Sequence, residues 1–322
     1  VQLGIDTPYL IKYDPTSLGF TISYNNALYE DVSENYINTN ASASLKGDDP
    51  YRFTRNSFEI QLRGGRALGE YWRVSGSYTW AWIESKDPNF VLKVPGDAGY
   101  DDYADAIENL ADAFAEGFKT KSSLRFGVIF DTRDYVGGPS RGIYWSQFMS
   151  YTGGFLGGDS QHIMTDTKFS FFIPLMWNFV FAVDTNFEFI LNQFDGRSYI
   201  YPGDKLSVDG MTEMRGWQNF NETGRSKATA CIELRYPIEK TMLWGVFFYD
   251  LGMIWDGYKD INFNFSEYKH SIGFGFRLQL AMLPIRLYFA RRFHYPDGEI
   301  EWVGGTKFFK GWETVFSVAG IF

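Results

Sequence analysis

The chain has 322 residues, of which 45% are hydrophobic and 19% are aromatic, but its mean hydropathy is only −0.24. The apolar residues must therefore be interleaved with polar ones, and the sequence contains no run of about 18 apolar residues that would encode a transmembrane helix. The net charge of −9 argues against a nucleic-acid partner, which would select a basic face.

Residue types that usually carry chemistry are sparse. Cys231 is the single cysteine, which excludes an internal disulfide and a cysteine metal cluster. His162, His270 and His294 are far apart and have no metal-ligand spacing. A phosphate-binding glycine loop and a nucleophile elbow are both absent. We therefore expect a protein that is not an enzyme and that needs no metal or cofactor.

Strict alternation of apolar and polar residues is the dominant pattern, and it predicts strands with two different faces. In the clearest strand, 71–84, one face carries Trp72, Val74, Gly76, Tyr78, Trp80 and Trp82, and the other carries Arg73, Ser75, Ser77, Thr79 and Ala81. The pattern predicts thirteen strands, at about 1–9, 17–30, 54–67, 71–84, 121–131, 142–152, 161–173, 178–190, 227–237, 243–255, 268–281, 285–294 and 311–322.

Two architectures compete for this pattern. In a soluble sandwich the apolar face is the core, whereas in a transmembrane barrel it meets lipid and the polar face lines the lumen. The barrel is favoured because the strands are about 10 to 14 residues long, where a membrane strand needs about 9–11 and a soluble strand is typically about 5–6. Aromatic residues are also common near the strand ends, as interfacial girdles require.

Short and long connections alternate along the chain, as they do in transmembrane barrels. The short connections, which we place on the periplasmic side, are 68–70, 174–177, 237–242 and 283–284. The long connections, which we place outside, are 31–53, 85–120, 192–224, 256–267 and 293–310. Within one of them, 101–118 has apolar residues at helical spacing, which predicts a surface helix over the barrel mouth.

Another long connection contains residues 211–220, which read MTEMRGWQNF. Arg215, Gly216 and Trp217 lie at its centre. An Arg-Gly-aromatic sequence occurs often by chance, and from these residues alone a turn with a solvated arginine is the favoured interpretation.

Several separated stretches resemble BamA-type barrels, the assembly factors of outer-membrane proteins, and their order and spacing agree from about residue 120 onwards. The stretches that carry the resemblance are 6–10 (DTPYL), 130–134 (FDTRD), 137–142 (GGPSRG), 214–217 (MRGW), 233–237 (ELRYP), 248–252 (FYDLG) with 255–256 (WD), and 271–289. In place of the family's Val-Arg-Gly-Phe, this chain has Met214 and Trp217.

The resemblance implies an all-β fold, a transmembrane antiparallel barrel of sixteen strands, of which about thirteen are encoded here. Residues 1–322 would then form one barrel domain that is incomplete at its N-terminal side, where three strands and the periplasmic repeats of the family would precede it.

The resemblance also implies roles for particular residues. Arg215, with Gly216 and Trp217, would hold its loop inside the lumen as a latch, and its partners would be the residues that follow on the next two strands, Glu233, Phe248 and Asp250. Alternation allows these partners to face the lumen, and arginine is suited to carboxylate pairing and to stacking.

Three further sets of residues receive structural roles. Asp131, Arg133 and Asp134 are expected to order a periplasmic turn. The last strand would form one side of a weak seam in the barrel, with Gly311, Phe316, Val318, Gly320 and Phe322 as its marker residues, and its glycines would weaken strand packing. Arg125, Asp184, Glu188 and Arg277 are expected to be general polar lining of the lumen.

The function implied is an insertase of the outer membrane of a diderm bacterium, with the C-terminus on the periplasmic side. Its partners would be unfolded outer-membrane protein precursors, outer-membrane lipids and periplasmic accessory lipoproteins. The alternatives are a related pore for two-partner secretion or autotransporter assembly, a general diffusion porin and, more remotely, a soluble β-sandwich that binds a ligand.

Overall fold

The structure is a computed structural model. It describes residues 2–7, 16–30, 52–86, 119–194, 200, 204–217, 223–238, 242–278, 285–305 and 310–318.

Thirteen long strands and three strands of two residues are present in the described parts of the chain. The strands are β1 Gln2–Thr7, β2 Thr16–Glu30, β3 Arg52–Leu68, β4 Trp72–Lys86, β5 Lys119–Asp131, β6 Gly142–Thr152, β7 His162–Pro174, β8 Val180–Leu191, β9 Leu206–Ser207, β10 Thr223–Gly224, β11 Ser226–Pro237, β12 Leu243–Trp255, β13 Lys269–Leu278, β14 Ile285–His294, β15 Glu301–Trp302 and β16 Trp312–Val318. Short 3₁₀ helices lie at Gly154–Leu156, Met176–Asn178 and Pro296–Gly298.

All the long strands belong to one antiparallel sheet in which each strand pairs with its neighbours in the chain. β8 pairs with β11 across the loop that contains β9 and β10, and those two short strands pair with each other. β14 pairs with β16 along most of its length and with β15 at its far end.

The two faces of the sheet differ as the alternation predicts. On β12, Phe247 is 64% exposed, whereas its neighbours Val246 and Phe248 are buried. On β13, Ile272, Phe274 and Phe276 are exposed, whereas Gly273 and Gly275 between them are buried on the opposite face. The chain therefore forms a transmembrane antiparallel β-barrel whose apolar outer face meets lipid and whose polar face lines the lumen.

The thirteen predicted strands coincide with the thirteen long strands to within a few residues at most ends. The two-residue strands and the 3₁₀ helices were not predicted, because segments so short carry no periodicity. The predicted helix at 101–118 lies outside the described residues. No helix in the described parts of the chain is long and apolar enough to cross a membrane.

The prediction for the last strand needs one correction. Gly311 does not lie in β16 but in the turn before it, where its φ is +80° and a Cβ would lie 2.5 Å from the Val303 carbonyl oxygen. The turn before β16 therefore requires glycine at position 311, and this glycine does not weaken the packing of a strand. Gly320 and Phe322 lie outside the described residues.

Candidate functional site: a loop fastened inside the barrel

Residues 204–217 form a loop between β8 and β11, and a local turn shapes it. The carboxylate of Asp209 accepts hydrogen bonds from the Met211 backbone N–H and the Thr212 hydroxyl, at 2.8 and 2.6 Å. The Glu213 carboxylate in turn accepts a hydrogen bond from the Asp209 backbone N–H at 3.0 Å. These reciprocal bonds resemble a helix cap and satisfy the turn's free backbone donors. Arg215 follows directly after this turn.

Arg215 lies at the centre of a buried cluster of charges, and it is only 2% exposed. Its Nε and Nη2 atoms donate to the two oxygens of Asp250 at 2.9 and 2.6 Å, which is a bidentate pair. Its Nη1 donates to Glu233 at 2.6 Å, and its backbone N–H donates to Asp250 at 3.0 Å. The thiol sulfur of Cys231 is a further acceptor, at 2.7 Å from Nη2.

Two aromatic rings complete the surroundings of the guanidinium. Its central carbon lies 3.6 Å from the ring centroid of Phe248 and 4.9 Å from that of Tyr288. These rings have room because β13 has glycine on its lumen face: a Cβ at Gly273 would lie 2.4 Å from Phe248, and one at Gly275 would lie 2.5 Å from Tyr288. The glycine-rich strand therefore makes the aromatic floor of the cluster possible.

Gly216 and Trp217 hold the loop beyond Arg215. Gly216 has a φ of +90°, and a Cβ there would lie 2.8 Å from the Cβ of Ala290. Trp217 is buried, donates its indole N–H to the His270 carbonyl at 3.0 Å and packs edge-on against the His294 ring. Met214, which stands where the family has valine, is fully buried against Trp217 and Ile254.

Glu233 is shared by three arginines. Besides Arg215, it accepts hydrogen bonds from Arg235 at 2.5 Å and from Arg277 at 3.4 Å. Arg277 also donates to the Tyr288 hydroxyl at 2.8 Å. The specific partners of Arg277 show that general lining was the wrong description of this residue.

A second cluster holds the loop at Glu213. Lys227 on β11 lies 2.7 Å from Glu188 on β8 and 3.0 Å from Glu213, and it also donates to the Ser207 carbonyl at 3.2 Å. Glu188 therefore also has a specific role, in contrast to the sequence-based prediction. Arg125 and Asp184 pair with Asp166 and Lys168, and all four side chains are partly open to solvent, as polar lining is expected to be.

A third contact reaches a different part of the wall. Asp204, at the start of the loop, lies 2.9 Å from Lys121 on β5 and 3.4 Å from Arg55 on β3. Burial raises the pKa of the Asp204 carboxyl, but the charges of Lys121 and Arg55 more than offset this, so that its pKa lies below the ordinary value. The loop is thus bonded both to β3 and β5 and to the strands β8 to β13.

Asp131 is the last residue of β5, and Arg133 and Asp134 follow it in the β5–β6 connection. Arg133 makes a bidentate pair with Asp131, with both distances 2.8 Å. Asp134 accepts the backbone N–H groups of Tyr135 and Ser140, at 3.0 and 2.9 Å, and also the Ser140 hydroxyl. Burial raises the pKa of Asp134, but these hydrogen bonds outweigh it and lower the pKa below its ordinary value.

β16 exposes one of its faces strongly. Phe316 is 57% exposed and Val318 is 45% exposed, whereas Val315, on the opposite face, is fully buried against β14. The sequence identified this facing from alternation. It did not identify Lys227, Asp204 or Tyr288 as parts of the site, because their partners are distant in the chain and no local pattern signals them. It also missed Arg235, although its partner Glu233 is only two residues away.

Comparisons with known proteins place this geometry in a family. The model of the Omp85 superfamily domain matches residues 1–308. A Treponema pallidum (strain Nichols) protein, named provisionally as an outer membrane protein assembly factor, is 27% identical over 234 residues, covering 61% of this chain and 27% of that protein. The chain thus spans about a quarter of the length of this curated relative.

Solved structures with the same fold include the crystal structure of BamA from Haemophilus ducreyi lacking POTRA domains 1-3. It has a TM-score of 0.66 and 18% identity, over 99% of this chain and 62% of that one. CdiB from Escherichia coli has a TM-score of 0.61 and 13% identity, over 99% of this chain and 52% of that one. CdiB from Acinetobacter baumannii has a TM-score of 0.55 and 16% identity, over 94% and 47%.

The family match covers nearly all of the chain, and the relatives agree with it in fold and in membrane location. The chain therefore belongs to the Omp85 superfamily, as a BamA-like outer-membrane β-barrel.

Proposed function

We propose that this barrel is the membrane domain of an outer-membrane protein assembly factor, which folds β-barrel precursors and inserts them into the outer membrane. The observation that carries the proposal is the loop 204–217, which buried ion pairs hold inside the lumen. A lumen occupied in this way is poorly suited to free diffusion, so the proposal places the working surface at the edge of the sheet. The name of the Treponema pallidum relative supports the same function.

The Arg215 cluster acts, in this proposal, as a structural latch. A buried guanidinium is costly unless its charge is paired and its donors are satisfied. Asp250 and Glu233 supply both, and they lie on adjacent strands, β12 and β11. The latch therefore fixes the loop to the wall and stiffens the part of the barrel that precedes the last strand.

β16 forms one side of a weak seam in this proposal. An incoming strand would pair with the exposed backbone of this edge, which is a form of β-augmentation. Support comes from the exposed side chains of Phe316 and Val318.

The orientation and the partners follow from this function. The short connections and the C-terminus face the periplasm, from which unfolded precursors arrive. Periplasmic accessory lipoproteins deliver the precursors, and the outer-membrane lipids around the seam complete the site. No catalytic residue and no cofactor takes part, because the folding of the substrate supplies the free energy.

The proposal is tested by reconstituting the full-length protein into liposomes and following the folding of an unfolded outer-membrane barrel by its protease resistance. The protein should accelerate folding relative to empty liposomes, and Arg215→Ala should lose most of the acceleration. Equal folding rates with and without the protein would contradict the proposal. A large ohmic conductance in planar bilayers, without any folding activity, would instead favour a diffusion porin.

A further inference from the structure

The lumen contains a cavity of about 320 Å³ near the end of the barrel where the short connections lie. Its wall comes from β7, β8, β11, β13 and β14, and the β5–β6 connection adds Val136, Gly137 and Pro139. This cavity lies beside the latch and shares Glu233, Arg235 and Arg277 with it, but the proposed function assigns it no role.

The lining of this cavity is strongly charged and has an excess of positive charge. Five cationic side chains, Arg133, Lys168, Arg235, Arg277 and Arg286, stand against three acidic ones, Asp184, Glu213 and Glu233.

All three acids already have cationic partners in the structure. Asp184 lies 3.4 Å from Lys168, Glu213 lies 3.0 Å from Lys227, and Glu233 is shared by three arginines. The acidic side chains of the cavity therefore leave no carboxylate for a further cation.

Arg286 is the cationic side chain of the cavity that pairs with no carboxylate among the described residues. In the described part of the chain, its Nε is buried and has no hydrogen-bond partner. It lies directly across from Arg277 in the pairing of β13 with β14. Side chains at such positions have Cβ atoms about 4.5–5.5 Å apart, and like charges there repel each other.

We propose that this cavity is a binding site for a phosphate group, with Arg286 and Arg277 as its principal ligands. An oxyanion between the two guanidinium groups would relieve their repulsion and satisfy the buried Nε of Arg286, because the arginine fork matches phosphate geometry.

The charge of the site favours an anion, and a doubly charged one most. Arg215, Arg235, Arg277 and Arg286 have only Glu233 and Asp250 as carboxylate partners, which gives this group of arginines an excess of two positive charges, and the extra carboxylate around Lys227, which Glu188 and Glu213 share, offsets one of them. A phosphate monoester carries a charge of about −1.5 to −2 near neutral pH, whereas a carboxylate carries only one. The volume exceeds that of several water molecules at about 30 Å³ each, so it also admits a short group attached to the phosphate.

The source of the phosphate is either a soluble phosphomonoester or the headgroup of a phosphomonoester lipid. The cavity opens inside the lumen, and the apolar side chains of Val136, Pro139 and Phe172 line it beside the arginines. The same arginines recognise the phosphate in both cases, so the site is tested first and its source second.

The test is isothermal titration calorimetry on the full chain in detergent micelles, at constant ionic strength set with chloride. The probes are inorganic phosphate, glycerol 3-phosphate and dihexanoyl phosphatidic acid, with acetate as the monoanion. Wild-type protein should bind at least one phosphate probe more tightly than acetate. Arg286→Gln should weaken that binding by about tenfold or more, because a hydrogen bond to a charged group is lost.

Two further variants make the result specific. Arg286→Lys, which retains the charge but not the fork, should bind with intermediate affinity. Arg125→Gln is the matched control, since it removes another lumen arginine outside this cavity, and it should leave the affinity unchanged. Far-ultraviolet circular dichroism of each variant checks that the barrel is folded, and Arg286→Lys serves alone if the glutamine variant is not.

The results of these titrations distinguish the two sources of the phosphate, and two of them would refute the site. Binding of glycerol 3-phosphate but not of the lipid supports a site for soluble phosphomonoesters, and the reverse supports a lipid headgroup site. Equal affinity for phosphate in wild type and in both Arg286 variants would overturn the proposal. So would the absence of binding of every phosphate probe at millimolar concentration. Neither result depends on insertase activity, so it leaves the proposed function untouched.

Discussion

At the scale of single residues, Arg215 carries a buried charge that ion pairs, hydrogen bonds and contact with an aromatic ring all stabilise. Asp250 pairs with it through two oxygens, Glu233 takes a third donor, and Phe248 lies against its flat face. Because Asp250 is completely buried, removal of the arginine would leave a carboxylate without solvent and without its main cation.

We predict that Arg215→Ala and Asp250→Ala each destabilise the folded barrel by about 3–5 kcal/mol, as the breaking of a buried ion pair does. The double variant should cost clearly less than the sum of the two, with a coupling of about 1–3 kcal/mol. Urea-induced unfolding of the detergent-solubilised protein measures all three values.

The pair Arg125 and Asp166 is the matched control. It also joins an arginine and an aspartate on the lumen wall, at 3.1 Å, but its side chains are 41% and 26% exposed. Each single variant should cost no more than about 1 kcal/mol there, because solvent screens the pair. Strict additivity at Arg215 and Asp250 would disprove the direct contact.

Gly216 gives a second prediction at this scale. Gly216→Ala combines an unfavourable φ with a Cβ only 2.8 Å from that of Ala290, so we expect a loss of about 2–4 kcal/mol. Gly69→Ala is the control, because its φ is +72° but open space surrounds its Cβ, and it should cost only about 1 kcal/mol. Equal losses at the two sites would mean that the loop is not tightly packed at Gly216. Thermal unfolding distinguishes these outcomes.

At the scale of elements, the loop 204–217 connects parts of the sheet that are far apart in sequence. Its far end is held by Arg215 to β11 and β12, and its start is held by Asp204 to β3 and β5. A change in the spacing of these strands would therefore strain the loop or release one of its ends.

Asp204 should make the attachment of the loop depend on pH. Its pKa in the folded state lies below that of the unfolded chain, which is about 3.9, so its contribution is fully present above that value. The contribution is lost as the pH falls through the folded pKa. Proteolysis of the loop should thus be constant between about pH 5 and 8 and increase below about pH 4.

Asp204→Asn removes the charge and should ease opening of the loop by about 1–3 kcal/mol at neutral pH. In this variant, the increase in proteolysis of the loop below pH 4 should also be smaller. Asp159→Asn is the control, since Asp159 accepts hydrogen bonds from Thr120 near the same end of β5 but belongs to another connection. A steep acid response that persists in Asp204→Asn would assign the titration to another group.

Sequence alone predicted the elements well because a strand of ten or more residues repeats its two-residue pattern several times. The same alternation placed Glu233, Phe248 and Asp250 on the lumen face, and the family resemblance brought them to Arg215. Gly311 was misassigned, because a glycine in a turn and a glycine in a strand look alike in the sequence. The contacts of Asp204 and Lys227 depend on the path of the loop, and no local pattern encodes that path.

At the scale of the whole molecule, a loop of the chain occupies the lumen, and among the described residues β16 lies at one end of the sheet, pairs only with β14 and has an exposed apolar face. These two features support the proposal that the protein works at its edge in the membrane. Membership of the Omp85 superfamily is consistent with either an assembly factor or a secretion pore. Many outer-membrane proteins would depend on an assembly factor, whereas a dedicated secretion pore would serve a single secreted protein.

The most direct test of the assembly function is to deplete the full-length protein in its native bacterium and quantify outer-membrane proteins by mass spectrometry. We predict that many unrelated β-barrel proteins decrease in the outer membrane while their unfolded precursors accumulate in the periplasm, and that a wild-type copy but not Arg215→Ala restores them. Unchanged levels of all other barrels, with the loss of a single secreted protein, would contradict the assembly function and would indicate a dedicated secretion pore.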